Sequence, residues 1–211
     1  MDQTEIHVFN RLQEFVRDSC PSAWLEYAEE LRDSAELIWT REEDLLGVSL
    51  TLDAGHHVLK DKRVSAVSRT YMLLAGFALE NVLKGHLVAK NPSLVNEGFL
   101  SEELKSHDIT GLAAKIPNLV LSKAERSFCD HATKAIPYWG RYPIPLKKNQ
   151  LSPEIAVDEE LRQAFLGLFY RLAHELYWEI RDGWDSGVGP KTLKMRNIRY
   201  GDSIDLKESL F

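Results

Sequence analysis

The stretch 71–79 constrains the fold more than any other part of the chain, because all of its residues are apolar or small. A helix that is apolar on every side must be covered by other elements over most of its surface. The wider segment 64–90 therefore predicts one long helix at the centre of the protein. Small residues at Ala75, Gly76 and Ala78 would let a neighbouring helix approach it closely.

Two amphipathic helices are predicted before this central helix. The first begins near Thr4 and is ended by Pro21, and its apolar side consists of Ile6, Phe9, Leu12 and Val16. The second begins at Ser22, and its apolar residues recur at alternating steps of four and three, the spacing of a stripe that faces a core. These residues are Trp24, Ala28, Leu31, Ala35 and Ile38.

Two more helices are predicted directly after the central one. Asp108 is a suitable N-cap for a short helix, since its side chain can accept a hydrogen bond from a free backbone N–H. Ser122 and Glu125 match the capping box, in which each side chain bonds to the backbone of the other. The helix that they open is predicted to stop at Pro137, because proline cannot donate the backbone hydrogen bond of a continuing helix.

A last long helix is predicted to open at residues 152–154, where a serine cap precedes a proline and an acid. Its core-facing stripe consists of Leu161, Phe165, Leu168, Leu172 and Leu176. Residues 140–145 must be extended, since each residue before a proline is pushed out of the helical region.

One segment near the N-terminus breaks the helical pattern. Between residues 41 and 63 the apolar period fails, and 48–52 alternates with the period of two that is typical of a strand. Residues 53–57 are typical of a turn. The segment is interpreted as either a short strand or an ordered loop.

Together these patterns predict an all-α protein, an up-and-down bundle of about five to six helices with a short irregular or β-like insertion. A single domain is predicted over residues 1–184, with N-terminal helices in 1–40, the insertion in 41–63 and the core in 64–184. A C-terminal tail is predicted over 185–211.

Composition narrows the range of functions. The net charge of −6 does not attract a polyanion, so nucleic-acid binding would need a local basic face. The two cysteines, Cys20 and Cys129, have no zinc-site spacing, and we interpret them as reduced, buried thiols. No signal pattern and no run of about 18–20 apolar residues is recognised, which predicts a cytoplasmic location without membrane contact. No metal site or cofactor is predicted.

Four stretches follow one another in this order: the apolar helix with a Glu followed by Leu-Lys at 73–84, the segment Ser106-His107-Asp108-Ile109 with Leu112, the capped helix from Ser122, and Arg141-Tyr142-Pro143. Together they resemble the HEPN superfamily, small helical bundles found in prokaryotes and higher eukaryotes. The resemblance covers about residues 64–184. It implies a HEPN-like bundle that dimerises, of a kind found in toxin–antitoxin pairs, phage defence and RNA processing.

Active members of that superfamily cut RNA without a metal, using an Arg and a His from two protomers that are four to six residues apart in sequence. The pair Arg126 and His131 has this spacing and is the candidate catalytic pair. It lies on the capped helix, whereas active branches carry the pair at the start of the last core helix. The alternative interpretation is two polar residues on a solvated helix face.

The resemblance and the charge pattern also give candidate residues for binding RNA or a partner. They are Glu80, Lys84, His107, Arg141 and Tyr142. Of these, Glu80, Lys84 and His107 could line a polar cleft beside the central helix together with His86. The alternatives are structural: an i,i+4 Glu–Lys pair on the surface, and an arginine that holds a proline-rich segment to the bundle.

Two further charged groups are noted near the C-terminus. One is a set on the last helix, Arg171, His174, Glu175 and Arg181, which forms either a charged site or a simple Arg171–Glu175 pair. The other is a basic run, Lys191, Lys194, Arg196 and Arg199, which either contacts RNA or is a solvated tail.

The leading functional hypothesis is a HEPN-like binding or regulatory module in prokaryotic antiviral defence or a toxin–antitoxin pair. It is expected to act as a homodimer, with an antitoxin, another partner protein or RNA as its partner. A metal-independent endoribonuclease and a helical scaffold for a partner protein are the alternatives.

Overall fold

The computed structural model describes residues 3–39, 44–53, 56–65, 68–139, 148 and 157–188. It contains six α-helices, which are α1 (Gln3–Asp18), α2 (Pro21–Trp39), α3 (Ser68–Lys90), α4 (Ile109–Ala113), α5 (Lys123–Trp139) and α6 (Glu159–Ile180). Strands β1 (Asp44–Asp53) and β2 (His56–Ser65) lie between α2 and α3. Two short 3₁₀ helices, Pro92–Leu94 and Glu102–Lys105, precede α4. The prediction of a helical bundle is confirmed.

Helix α3 is the centre of the bundle, as its apolar sequence predicts. It packs against α2, α4, α5 and α6, so other helices cover it on several sides. Two of its glycines lie where neighbouring helices come close to α3. A Cβ on Gly76 would lie 3.2 Å from that of Ala132 on α5. A Cβ on Gly85 would lie 2.7 Å from a methyl of Leu176 on α6 and 3.3 Å from Trp24 on α2. Small residues therefore allow α3 to pack tightly against its neighbours.

The apolarity of α3 has a second consequence. By length and composition it is the one helix in the described part of the chain that could cross a membrane, although Glu80, Asn81 and Lys84 interrupt its apolar run. However, 78% of its most apolar window is buried inside the bundle. A core helix and a membrane helix share this composition because both are surrounded by apolar groups.

An aromatic group fills the space between α3, α5 and α6. Phe165 on α6 is fully buried, and its ring centre lies 5.2 Å from that of Phe128 on α5. It also lies 6.1 Å from Tyr71 on α3 and 5.9 Å from Phe169 on α6. One side chain of the predicted α6 stripe thus joins three helices.

Helix α1 packs by its C-terminal half. Val16 is buried and Leu12 packs against the core, whereas Ile6 and Phe9 are exposed. The predicted apolar side of this helix is therefore only partly covered.

The segment after α2 is an antiparallel β-hairpin rather than one short strand or a loop. Strands β1 and β2 pair along their full lengths, from Asp44 opposite Ser65 to Asp53 opposite His56. The alternation at 48–52 covers only the second half of β1, because Leu45, Leu46 and Gly47 before it do not follow a period of two. Sequence reasoning therefore gave a strand only as one of two alternatives, and it assigned Asp53, His56 and His57 to a turn although they lie in the strands.

Three predicted helix ends are wrong. Helix α3 begins at Ser68 rather than at 64, because β2 continues to Ser65. Helix α5 continues through Pro137 to Trp139. Proline lacks the N–H of one helical hydrogen bond, and this loss matters little when only two residues of the helix follow it.

Helix α6 begins at Glu159 rather than at 152–154, with the carboxylate of Asp158 accepting from the N–H of Leu161 at 2.9 Å. Asp158 offers a second N-cap, and Glu159 and Glu160 offer a second acidic first turn, like the signals at 152–154.

The other predicted caps are confirmed. Asp108 accepts a hydrogen bond from the N–H of Gly111 at 2.9 Å. In the capping box, the N–H of Ser122 donates to Glu125 at 2.7 Å and the N–H of Glu125 donates to the Ser122 hydroxyl at 3.2 Å. Capping signals are local, so sequence alone suffices to recognise them.

The folded domain extends past the end of α6. The side chain of Asn96 donates to the carbonyl of Ser186 at 3.4 Å, and Ser186 is buried. Val188 packs against the core. The chain is therefore part of the domain at least as far as Val188.

Candidate functional site

A charged cluster consists of Glu80 and Lys84 on the central helix α3 and of His107, which precedes α4. The carboxylate of Glu80 accepts a hydrogen bond from the Lys84 ammonium at 2.6 Å. The same carboxylate lies 3.0 Å through Oε2 and 3.2 Å through Oε1 from Nδ1 of His107. We call these three residues the Glu80 cluster. The structure thus brings together three of the five residues that the sequence indicates for binding.

Two members of the Glu80 cluster are buried. Glu80 and Lys84 are each only 4% exposed, so the alternative of a surface pair is wrong. The Lys84 ammonium also lies 5.9 Å from the ring centre of Trp24 on α2. An i,i+4 spacing shows that two residues are neighbours on a helix, but it does not tell which side of the helix faces solvent.

His107 is the member that reaches solvent, since its side chain is 52% exposed. A carboxylate only accepts hydrogen bonds, so Nδ1 of His107 carries the proton that it shares with Glu80. In the neutral ring Nε2 is then an acceptor, and no described residue bonds to it. The site therefore offers an oriented imidazole that can accept a hydrogen bond or a proton from a bound molecule.

The backbone around His107 is fixed by α4 and α5. The hydroxyl of Ser106 accepts from the N–H of Asp108 at 3.2 Å, and Asp108 in turn caps α4. The hydroxyl of Thr133 on α5 accepts from the N–H of Ile109 at 3.1 Å. The orientation of His107 thus depends on contacts from α3, α4 and α5.

The candidate catalytic pair does not form a joint site within one chain. Arg126 and His131 are five positions apart on α5, which places them about 140° apart around the helix axis. Arg126 is exposed, and its side chain makes no hydrogen bond or ion pair with another described residue. His131 is half-buried, and its Nε2 lies 3.4 Å from the hydroxyl of Ser127. Burial lowers the pKa of His131.

His86 also lies on α3 but is separate from the Glu80 cluster. Its Nε2 lies 2.9 Å from the carbonyl of Leu172 on α6 and must donate to it, because a carbonyl only accepts. Its Nδ1 is buried without a hydrogen bond, 3.5 Å from the carboxylate of Glu179. The predicted polar cleft of four residues is therefore two sites that face different helices.

Acid is expected to destabilise the fold through His86. Burial lowers the pKa of its imidazole and outweighs the hydrogen bond to Leu172 and the carboxylates of Glu179 and Glu175, which raise it; Lys90 adds to the lowering. Below pH 6.5, the ordinary pKa of histidine, His86 therefore binds a proton more readily in the unfolded chain than in the folded one. The free energy of unfolding should fall as the pH drops through this value, as urea titrations at a series of pH values would show.

Substitution separates the contribution of His86 to the pH dependence of stability from that of His131. His86→Gln, whose amide can still donate to Leu172, should flatten the acid side of the stability profile. His131→Gln should flatten it less, because His131 is less buried. An unchanged profile in His86→Gln would contradict the assignment.

The charged set on α6 is arranged differently from the simple pair considered above. Arg171 does not pair with Glu175; its guanidinium lies 3.2 Å from the buried carboxylate of Glu125 and donates to the carbonyl of Val120 at 3.1 Å. His174 accepts a hydrogen bond from the indole N–H of Trp178 at 2.8 Å. Arg171 thus binds to residues far away in the sequence instead of to its helix neighbour Glu175.

Sequence reasoning missed a polar network that joins α2, α3 and α6. Arg162 donates to both carboxylate oxygens of Glu36, and the Tyr71 hydroxyl donates to Glu36 at 3.0 Å. Burial and the nearby Glu36 raise the pKa of Tyr71 well above its usual range. No local signal links residues so far apart in the chain, so only the fold reveals the network.

The two cysteines are free and buried, as predicted. Burial raises the pKa of Cys129 to about 12, which keeps the thiol protonated and unsuited to nucleophilic attack. Within the described part of the chain, no group of three His, Cys, Asp or Glu residues could hold a metal ion. Arg141, Tyr142, the extended segment 140–145 and the basic run 191–199 lie outside the described residues.

Comparisons with known proteins give no relatives for this chain. No family model matches it, and neither the curated proteins nor the solved structures contain a significant match. Its function must therefore be argued from its own residues.

Proposed function

We propose that this chain is a HEPN-like helical module that binds a partner protein through the surface around His107. One observation carries the proposal: the buried carboxylate of Glu80 holds a half-exposed imidazole in one orientation. The proposal includes a cytoplasmic location and a role in defence or a toxin–antitoxin pair, with an antitoxin-like protein as partner.

The burial of Glu80 and Lys84 supports a functional role for the cluster. Removing two charges from water is costly, and well-packed apolar residues often give equal or greater stability at such a position. Glu80 also does more than neutralise Lys84, because it fixes the ring and tautomer of His107. A binding surface that needs an oriented imidazole accounts for this arrangement.

Charge around the site favours a protein over RNA. Lys105 and Lys115 lie on either side of His107 in the sequence, and both are already paired with carboxylates. Lys105 lies 2.6 Å from Glu102, and Lys115 lies 2.8 Å from Glu103. With a net charge of −6 on the chain, this surface offers little attraction to a phosphate backbone.

Co-expression with the products of neighbouring genes tests the proposal. The tagged full chain should retain one of these proteins, and His107→Ala should weaken its binding about tenfold or more, as for a central interface residue. His7→Ala, which changes an exposed histidine on α1, is the matched control and should bind normally. Equal binding by all three proteins would refute a role for His107.

A metal-independent endoribonuclease is the second candidate. Arg126 is exposed, and the lowered pKa of His131 keeps this imidazole neutral, as a general base must be. Incubating total RNA with the chain and with Arg126→Ala separates the two candidates. Cleavage that disappears in Arg126→Ala would establish the nuclease and overturn the binding module, whereas RNA left intact by both supports the binding module.

A further inference from the structure

Helix α1 leaves part of its apolar side uncovered. Phe9 and Val16 are seven residues apart, two turns of the helix, so they lie within about 20° of each other around its axis. Val16 is only 1% exposed, whereas Phe9 is 41% exposed and Ile6, one turn earlier, is 45% exposed. The bundle thus covers the end of this side and not its beginning. We call the surface of Ile6 and Phe9 the Phe9 face.

The described chain ends close to α1. The loop before α4 contacts this helix, since a Cβ on Gly98 would lie 3.3 Å from a methyl of Leu12. Two residues earlier in the same loop, the side chain of Asn96 donates to the carbonyl of Ser186 at 3.4 Å. Residues 189–211, which we call the tail, follow directly after this contact. The tail therefore starts close to the part of α1 that carries the Phe9 face.

The sequence of the tail is complementary to an apolar surface on an acidic protein. The tail contains five basic and three acidic residues, although the net charge of the whole chain is −6. Its charge is therefore opposite to that of the rest of the chain, and opposite charges attract. Its second half also holds six apolar or aromatic residues, which are Ile198, Tyr200, Ile204, Leu206, Leu210 and Phe211.

The tail is long enough to reach the Phe9 face. Ile198 comes ten positions after Val188, and ten residues can span up to about 33 Å. Helix α1 has 16 residues and is therefore about 24 Å long. A short tether also gives the tail an effective concentration of about 1 mM beside the bundle. A contact with a dissociation constant of about 0.1 mM would then be closed about ten times as often as it is open.

We propose that the tail binds to the Phe9 face of its own chain, with apolar residues of 198–211 covering Ile6 and Phe9. The exposed apolar side of α1 and the apolar residues of the tail then shield each other from water. A partner would have to reach this surface from solution, whereas the tail is always present beside it. This proposal does not depend on the role of His107.

Proteolysis after Glu208 tests the contact, because Glu208 is the one glutamate of the tail. A glutamyl endopeptidase removes residues 209–211, and the mass of the intact chain reports this loss. The rate of cleavage follows the fraction of time for which the tail is free. The full chain should be cut about tenfold more slowly than a synthetic peptide of residues 189–211. Dilution of the chain should not change this protection, since the contact lies within one molecule.

Matched substitutions on α1 locate the contact. Phe9→Asn should raise the rate of cleavage about fivefold or more, because it removes the larger apolar side chain of the Phe9 face. Val8→Asn changes a neighbouring residue that is even more exposed, at 63%, but that lies about 100° away around the helix axis. This control should be cut at the rate of the wild-type chain. Circular dichroism checks that both variants are folded.

Substitutions in the tail test the other side of the contact. Ile204→Asn should raise the rate of cleavage as Phe9→Asn does, whereas Ser203→Asn should not. The double variant Phe9→Asn/Ile204→Asn should be cut no faster than the faster single variant, because both changes remove the same contact. A full chain cut as fast as the free peptide, equal effects of Phe9→Asn and Val8→Asn, or protection that is lost on dilution would overturn the proposal.

Discussion

Glu80→Gln is expected to lower the free energy of unfolding by about 3–5 kcal/mol, the usual cost of leaving one charge of a buried pair without its partner. Lys84 is 4% exposed, so its ammonium cannot turn to water when the carboxylate is lost. The Gln amide keeps one acceptor oxygen but replaces the other carboxylate oxygen with an NH₂ donor, so one oxygen must serve both Lys84 and Nδ1 of His107. Urea denaturation followed by circular dichroism measures the change.

The chain contains a matched control for this substitution. Glu102 and Lys105 form an ion pair of the same length, 2.6 Å, but on the surface. Glu102→Gln should therefore cost less than about 1 kcal/mol. Glu80→Met/Lys84→Met removes both buried charges and should recover much of the stability lost in Glu80→Gln. A loss in Glu80→Gln no larger than that in Glu102→Gln would show that burial does not strengthen the pair.

Phe165→Ala is expected to lower the free energy of unfolding by about 3–5 kcal/mol. Its ring is fully buried between Phe128, Tyr71 and Phe169, and these residues lie on three helices. Truncation leaves a cavity that these rings cannot close without moving their helices. Thermal and urea denaturation should both show the loss.

An exposed phenylalanine provides the comparison for Phe165. Phe99 lies at the surface before α4. Phe99→Ala removes the same atoms without opening a buried cavity, and its effect should stay within about 0.5 kcal/mol. Similar losses in both variants would contradict the position of Phe165 at the centre of the core.

The parts of the fold that follow from local pattern could be predicted from the sequence. An apolar surface on all sides of 71–79 required a central helix, and α3 fills that role. The caps at Asp108 and Ser122 depend on residues three positions apart, so they too are visible in the sequence. The ends of α5 and α6 were misplaced because more than one residue there carries a stop or start signal.

The candidate site depends on contacts that no local pattern records. Sequence spacing pairs Glu80 with Lys84, but only the packing of α3 shows that both are buried. Likewise, Arg171 has a neighbour of opposite charge at Glu175, yet it bonds to Glu125 on another helix. Side chains choose partners in space, and spatial neighbours far apart in sequence are known only once the fold is known.

The short helix α4, whose first N–H groups bond to Thr133 on α5, is a point where we expect local unfolding. An isolated helix of five residues is not stable in water, so α4 stays ordered through its cap, its bonds to Thr133 and the burial of Ile109 and Leu112 in the core. If those bonds break, His107 leaves Glu80 while the rest of the bundle stays folded. Amide hydrogen exchange should therefore be faster in α4 than in α3, and a partner that binds His107 should slow it.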